Sequence, residues 1–331
     1  IKRGAPELPL RVLELVSKQK TCVYPDKACH GDSCPLARGF YDRLPAARAE
    51  AVALTAAHQG FLDKDAVRTL ALDHSICPYY FSHEMMHWSD VVVGDYNYYF
   101  DTSAMLFAQA QLSQWRIGVL VDEAHNLVER ARKMYTAELD PMDLVAARRA
   151  ATPAICTVLD CLQRSWLKLH RDQTEHYQVY EKVAPEFCGA LQQTSSAILE
   201  YLTENPFGLD PNVQNFFFAI LHFSRMAEQH GTHSLFDITL SQDHRPGGAV
   251  LCLRNIVPAP FLEARFAAAH SVTLFSATLS PENYYSDVLG LPAHTPWVDI
   301  ASPFRAEQLQ VRLVNDVSTR FQHRSDSLRP V

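Results

Sequence analysis

The alternation of apolar and polar positions along the chain predicts strands and helices in the order typical of an α/β protein. Residues 36–76 contain alanine-rich, amphipathic segments that predict mainly helix. The β-branched run Val91–Val93 predicts a short strand that ends at Gly94. Residues 116–135 follow as an aliphatic strand, a sharp loop and a helix, which is the order of a parallel βα unit. We therefore expect a parallel sheet in this part of the chain.

From about residue 137 to 234 the pattern becomes almost entirely helical. Segment 153–170 repeats apolar residues at helical spacing, which predicts a helix with one apolar face. Strand-like segments return at 235–240 and 249–257. A further apolar run, at 272–275, stops in a loop of small polar residues. The simplest architecture is an α/β core interrupted by a helical insert.

Composition is that of an ordinary globular protein, with 331 residues, 47% hydrophobic and 20% charged. No apolar run approaches the roughly 18 residues that a membrane span needs, and the first twenty residues lack the features of a secretory signal. We therefore expect a cytoplasmic protein that does not contact membranes. The net charge of −7 argues mildly against a protein whose surface is covered by bound nucleic acid, although a DNA motor needs only a basic groove.

Two adjacent carboxylates, Asp122 and Glu123, follow the aliphatic strand directly. In open parallel sheets, ligands bind beyond the carboxyl ends of the strands. A nucleotide hydrolase needs one carboxylate to hold Mg²⁺ and another to orient or deprotonate the attacking water. The alternative is an Asp that caps the next helix. The loop Ser276, Ala277 and Thr278 ends a second apolar strand and favours the hydrolase, because it can contact the carboxylates.

A rival chemistry is offered by residues 83–87, where His83, Glu84 and His87 match the H-E-x-x-H pattern of zinc hydrolases. The predicted strand begins three residues after His87, which cuts the supporting helix short. No histidine follows soon enough to serve as a third zinc ligand. We therefore interpret the segment as a surface turn with incidental histidines.

Four of the eight cysteines form a candidate metal site. Cys22, Cys29 and Cys34 lie close together in a polar, turn-rich segment, and Cys77 follows. Four thiolates on such a scaffold suit Zn²⁺ or an iron–sulfur cluster. Irregular spacing favours a cubane-type cluster, but spacing alone leaves both metals open. We interpret the remaining four as buried packing residues: Cys156, Cys161, Cys188 and Cys252.

Taken in order, these elements resemble the iron–sulfur superfamily 2 DNA helicases of the XPD and DinG groups, and within them a bacterial DinG-type protein. The segments that carry the resemblance are the cysteine trio, "CPYYFS" with Cys77, "DVVVGDYNYYFD", "VLVDEAHNL", "LFSATLSP" and "SPF" at 302–304. Each motif is weak when it is taken alone. Their shared order across almost the whole chain makes the resemblance strong.

The resemblance implies a RecA-like α/β motor domain with a parallel sheet, an inserted iron–sulfur domain and an inserted all-helical arch domain. It also implies ATP-driven 5′-to-3′ translocation on single-stranded or forked DNA by a monomer with Mg²⁺ and a [4Fe–4S] cluster. The implied domains are the start of motor domain 1 at 1–21, the cluster domain at 22–77, motor domain 1 with the DEAH motif at 78–136, the arch at 137–247, the return to motor domain 1 at 248–300 and the start of motor domain 2 at 301–331.

The same resemblance assigns roles to individual residues. Cys22, Cys29, Cys34 and Cys77 would bind the cluster. Asp122 would organise Mg²⁺, and Glu123 would activate water. His125 with Ser276, Ala277 and Thr278 would couple hydrolysis to domain movement. Tyr79, Tyr80, Phe81 and Tyr96 could stack on bases, at about 1–3 kcal/mol each; the alternative is core packing, which we favour for residues 96–100.

The sequence departs from the family pattern in one respect. It contains no G-x-x-x-x-G-K-[ST] phosphate loop and no Arg-rich G-x-x-x-x-R-x-x-R segment. We therefore expect a fragment of a larger helicase that is inactive alone, although its parent is an ATPase. Two other classes stay open: a non-motor single-stranded DNA-binding or damage-sensing iron–sulfur module, and a zinc hydrolase using His83 and His87.

Overall fold

A computed structural model describes residues 8–57, 60–171, 173–206, 208–240, 248–308, 310–312 and 320. Its contacts divide the chain into two compact units, with the boundary between Leu291 and Pro292. In the second unit the described residues include one short 3₁₀ helix, Ala306–Gln308. Most of the implied start of motor domain 2, residues 301–331, lies outside the described residues.

The first unit begins with elements that alternate between strand and helix. Their order is β1 (Val12–Glu14), α1 (Lys18–Thr21), α2 (Phe40–Ala57), β2 (Phe61–Leu62), α3 (Lys64–Asp73), α4 (Pro78–Met85), β3 (Val91–Val93), α5 (Asn97–Phe100), α6 (Met105–Leu112), β4 (Gly118–Val121) and α7 (Leu127–Met134). Short 3₁₀ helices follow α4 (Met86–Trp88) and precede α7 (Ala124–Asn126).

The rest of the unit contains the longest helices and the longest strands. Their order is β5 (Ala137–Leu139), α8 (Pro141–Ala150), α9 (Pro153–Leu169), β6 (Tyr177–Tyr180), α10 (Pro185–Glu204), α11 (Pro211–Glu228), β7 (Ser234–Leu240), β8 (Ala249–Asn255), α12 (Ala259–Ala267), β9 (Ser271–Leu274) and α13 (Glu282–Leu289). Among the described residues, no helix is both long and apolar enough to cross a bilayer.

Two parallel sheets form the α/β part, as the sequence predicts. One has the strand order β2-β1-β3, and the other pairs β4 with β9. In the second sheet Val121 lies opposite Leu274, so both strands end at the same level. The loops that leave β4 and β9 therefore emerge side by side, although about 150 residues separate them in the sequence.

The expectation of an all-helical arch is wrong. Residues 137–255 include a four-stranded antiparallel sheet with the order β5-β8-β7-β6. Helix α11 packs on β5 and β8, and the indole of Trp166 in α9 donates a hydrogen bond to the Ala249 carbonyl, 2.9 Å away. The insert is therefore a layer of helices on a sheet, because its helices have one apolar face that must be covered.

The predicted return to the motor domain at residue 248 is also misplaced. Strand β8 begins at Ala249 but pairs with β5 and β7, so it belongs to the antiparallel sheet. The buried carboxylate of Asp237 on β7 lies 3.0 Å from the Arg254 guanidinium on β8, which satisfies the carboxylate across that pair. Strand β9 is the element that rejoins the parallel sheet.

The H-E-x-x-H segment differs from the expected surface turn. Residues 78–85 form helix α4, which ends at Met85, and His87 lies in the 3₁₀ helix that follows. The His83 ring is partly buried against Tyr79, with 4.1 Å between ring centroids. Its Nε2 has no hydrogen-bond partner among the residues that the structure describes. Burial lowers the pKa of His83 to about 4. The helix is cut short as predicted, but His83 is a packing residue.

This burial predicts a pH-dependent stability. The pKa of His83 is lower in the folded chain than the roughly 6.5 of an unfolded chain, so the unfolded state takes up the proton first as the pH falls. The folded state should therefore lose stability between about pH 6.5 and about pH 4. His83→Gln should flatten that dependence in urea unfolding followed at several pH values. His87→Gln, which changes an exposed side chain, is the control. An equal slope in both variants would contradict the assignment.

Candidate functional site

The loops after β4 and β9 are joined by backbone hydrogen bonds beyond the ends of the strands. The Phe275 amide donates to the Val121 carbonyl at 3.0 Å, and the Ala124 amide donates to the Phe275 carbonyl at 3.1 Å. The carboxylate loop and the Ser276 loop are therefore held as one edge of the sheet. The structure thus brings together two segments that the sequence places far apart.

The carboxylate pair lies in a tight turn at this edge. Glu123 has the left-handed backbone conformation, with φ 48° and ψ 44°, which residues other than glycine rarely adopt. Its amide donates to Asp122 Oδ1 at 2.8 Å. The caps of the following 3₁₀ helix and of α7 contain no side-chain hydrogen bond, so Asp122 does not act as a helix cap. Both carboxylates are exposed to solvent.

His125 connects the two loops. Its Nδ1 lies 2.7 Å from Ser276 Oγ and 3.3 Å from Glu123 Oε2. Ser276 Oγ also accepts a hydrogen bond from the Thr278 amide at 3.1 Å, which fixes the loop on the β9 side. A continuous polar path therefore runs from the Glu123 carboxylate through the imidazole to the loop after β9. Ala277 and Thr278 lie in that loop as the sequence predicts.

Tyr96 contacts the same turn from the other side. Its hydroxyl donates to the carbonyl of Asp122 and lies 3.0 Å from the carbonyl of Glu123. Burial, followed by the charges of Asp122 and Glu123, raises the pKa of Tyr96, so its hydroxyl remains a hydrogen-bond donor at neutral pH. No pattern in the sequence indicated this contact, because it joins the β3–α5 loop to residues 26 and 27 positions away.

The other aromatic candidates have different environments. Phe81 on α4 is fully buried in the hydrophobic core, so its ring is not placed to stack on a base. Tyr79 packs edge-on against Tyr80 and His83. The Tyr80 side chain is 45% exposed and is the most accessible of the four.

The four candidate cluster cysteines surround the start of α4 and the end of α1. All are free thiols; Cys29 is exposed and the other three are partly buried. Burial raises the pKa of Cys77, and the neighbouring thiolates of Cys29 and Cys34 raise it further. A hydrogen bond with Cys29 raises the pKa of Lys18, and the charge of the nearby Cys22 thiolate raises it as well. Cys77 therefore lies near Cys29 and Cys34, and Lys18 lies near both Cys29 and Cys22.

These thiols are not gathered into a closed set. Within the part of the chain that the structure describes, no group of three or more cysteine, histidine or acidic side chains is positioned to hold a metal ion. The donor chemistry, four free thiols around one helix start, nevertheless fits an iron–sulfur cluster.

The remaining cysteines only partly match the expectation of buried packing residues. Cys252 is buried, which raises its pKa to about 12. Cys156 and Cys188 are partly buried. Cys161 is exposed, and its sulfur lies 3.0 Å from the Arg164 guanidinium, so the prediction is wrong there.

A cavity of about 640 Å³ lies between α5, α7 and α11. Three cations line it, Arg130 and Lys133 from α7 and Arg225 from α11, together with the exposed ring of Phe218. Sequence reasoning missed these residues. The signals were present as the basic run of α7 and the seven-residue spacing of Phe218 and Arg225, which places both on one helix face.

Comparison with known proteins connects this geometry to helicases. The DEAD_2 family profile matches residues 3–144. The Regulator of telomere elongation helicase 1 homolog of Anopheles gambiae is 25% identical over 162 residues, which cover 46% of this chain and 16% of that protein. The Fanconi anemia group J protein homolog of Gallus gallus is 27% identical over 159 residues, which cover 43% of this chain and 12% of that protein. The alignments thus span less than a fifth of either relative.

Two solved structures share the fold. One, described as Truncated XPD, has a TM-score of 0.52 and 18% identity, with 90% of this chain and 82% of that chain covered. The other, XPD_Helicase, has a TM-score of 0.50 and 17% identity, with 86% and 48% covered. The fold is therefore the RecA-like α/β fold of these structures. The chain is therefore similar to the named helicases in sequence over part of its length, and to the two solved structures in fold over most of it.

Proposed function

We propose that this chain is part of an ATP-dependent DNA helicase of the DinG type that moves 5′-to-3′ on single-stranded or forked DNA. The observation that carries the proposal is the contact of His125 with both Glu123 and Ser276, at the carboxyl ends of two paired parallel strands. A hydrolase that drives movement needs such a link between its carboxylates and a loop that can respond to a second domain.

The residues of the turn divide the chemistry of hydrolysis. Asp122 would hold Mg²⁺ directly or through water, and the bound ion would supply charge neutralisation at the phosphates of ATP. Glu123 is the general base: its exposed carboxylate accepts the proton of the attacking water. Because the left-handed conformation turns the chain sharply at Glu123, the two neighbouring carboxylates can serve different partners.

His125 transmits the state of Glu123 to the loop at residues 276–278. A change in charge or hydrogen bonding at the carboxylate alters the imidazole 3.3 Å away, and the imidazole shares its Nδ1 with Ser276 Oγ. Because the Thr278 amide depends on the same hydroxyl oxygen, the loop responds as a unit. This path couples hydrolysis to domain movement.

Cys22, Cys29, Cys34 and Cys77 would hold one [4Fe–4S] cluster with a structural role. The donor set supports it, since all four residues are free thiols and Cys77 lies near Cys29 and Cys34. We place the protein in the cytoplasm as a monomer, with motor segments before residue 137 and after β8 flanking the insert.

The cavity between α5, α7 and α11 is the proposed binding surface for a DNA strand. Lys133 is exposed, and among the described residues it forms no ion pair with a carboxylate. The Arg225 guanidinium donates a hydrogen bond to the Thr102 carbonyl at 3.2 Å. These cations fit backbone phosphates, and the Phe218 ring offers a face for a base. Tyr80 remains a second proposed stacking residue because it is exposed.

The cluster is tested by metal analysis. Anaerobically purified protein should contain about four iron and four sulfide per chain, and replacing any one of the four cysteines with Ser should lower both. Cys156→Ser and Cys161→Ser are the matched controls and should leave the metal content unchanged. Stoichiometric zinc without iron would show that the thiols hold a different metal.

The carboxylate roles are tested in the full-length protein. Glu123→Gln should lower kcat by about 10²–10⁴-fold and leave ATP and DNA binding intact, because Gln keeps the shape but cannot accept a proton. Asp122→Asn should also weaken Mg²⁺-dependent nucleotide binding, because it removes charge beside the ion. Single-turnover assays separate these effects. His83→Gln and His87→Gln are controls; loss of turnover there, with Glu123→Gln active, would favour the zinc hydrolase.

The strand-binding surface is tested by salt dependence. Lys133→Gln and Arg225→Gln should each weaken binding of single-stranded DNA and reduce the slope of log affinity against log salt by about 0.7, the value for one phosphate contact on a single strand. Phe218→Ala should weaken binding by about 1–3 kcal/mol with little change in slope. Lys168→Gln removes an exposed cation on α9 and is the control. Slopes equal to that of Lys168→Gln would exclude phosphate contacts in the cavity.

A further inference from the structure

Tyr96 lies in the loop between β3 and α5, outside every motif that supplies a reacting group. We propose that Tyr96 is a positioning residue, whose hydroxyl holds the left-handed turn at Glu123 and so directs the catalytic carboxylate. The inference rests on the proposed hydrolase function. It replaces the expectation that Tyr96 stacks on a base.

The geometry of the hydroxyl supports this role. A phenol has a single proton to donate, and here two successive carbonyls, those of Asp122 and Glu123, lie within hydrogen-bond distance of it. The Glu123 carbonyl also accepts a hydrogen bond from the Asn126 amide at 2.9 Å. The Tyr96 proton is donated to the Asp122 carbonyl, so Tyr96 holds the peptide before Glu123 and the Asn126 amide holds the peptide after it. A carbonyl bound in this way cannot rotate without losing a partner.

The turn needs such support because its backbone conformation is unfavourable for glutamate. In the left-handed region, Cβ crowds the following carbonyl oxygen. One side of the turn is fixed by β9, through the Ala124 amide and the Phe275 carbonyl. The hydroxyl of Tyr96 holds the opposite side. Without it, the Asp122 carbonyl would lose this hydrogen bond, the peptide before Glu123 would be held less firmly, and the carboxylate would sample other directions.

The ring of Tyr96 is itself held in place. The Arg130 guanidinium lies 5.9 Å from the ring centroid. The same guanidinium forms an ion pair with Asp95 and donates a hydrogen bond to Asn97 Oδ1 at 3.2 Å. It therefore binds the residues on both sides of the tyrosine. Arg130 belongs to α7, which follows the carboxylate turn directly. Contacts from the loop and from the helix therefore hold the Tyr96 hydroxyl in position against the turn.

The test is Tyr96→Phe in the full-length protein, assayed for ATP hydrolysis with saturating single-stranded DNA. The change removes the hydroxyl and keeps the ring, so stacking would be preserved. We expect kcat to fall about threefold to tenfold, the range for one lost hydrogen bond, with KM for ATP and DNA affinity unchanged. Tyr98→Phe is the control: it removes a hydroxyl from the adjoining helix α5 that makes no hydrogen bond to the turn among the described residues, and it should leave kcat unchanged.

A double variant separates positioning from general destabilisation. If Tyr96 acts through Glu123, Tyr96→Phe should have little further effect on kcat in the Glu123→Gln background. An equal loss in both backgrounds, an unchanged kcat, or weaker DNA binding at constant kcat would each overturn the inference while the wild type still hydrolyses ATP. A wild type without DNA-stimulated hydrolysis would instead overturn the proposed function, and the inference with it.

Discussion

The pairing of β4 with β9 is the constraint on which the candidate site depends. Because Val121 lies opposite Leu274 and the ladder continues to Phe275 and Ala124, two loops from distant parts of the sequence leave the sheet together. Every contact of His125 with the second loop follows from this register. A shift by one residue would turn alternate side chains to the other face and separate the histidine from Ser276. The chemistry is therefore set by a backbone pairing.

The sequence predicted this part well because its signals are local. A run of aliphatic residues followed by Asp122 and Glu123 is readable within ten residues, and so is the run that ends at Ser276. A parallel sheet then requires that strand ends align, which brings the two loops together without further information. What the local signals could not predict was the left-handed backbone at Glu123, since no glycine marks the position.

The antiparallel sheet in the insert shows where sequence reasoning stops. Strands β5 and β6 are only three and four residues long, and their pairing partners β8 and β7 are far away in the sequence. Short strands have no period that distinguishes them from loops, while the neighbouring helices have a strong one. The sequence therefore predicts helix over residues 137–234, where β5 and β6 lie, and strand only in the segments that contain β7 and β8. The buried Asp237 with its partner Arg254 was equally invisible, because a single acidic residue in a strand says nothing about a partner on the next strand.

The carboxylate turn is held from two directions, and this arrangement has a mechanistic consequence. On one side, β9 holds the turn through backbone hydrogen bonds, and Ser276 contacts it through His125. On the other side, the Tyr96 hydroxyl contacts the carbonyls of the turn, and the Arg130 guanidinium lies over the Tyr96 ring. Arg130 also lines the cavity proposed to bind a DNA strand. Arg130 is thus the residue that connects the cavity to the carboxylate turn, because it lines the cavity and also lies over the ring of Tyr96, whose hydroxyl contacts the turn.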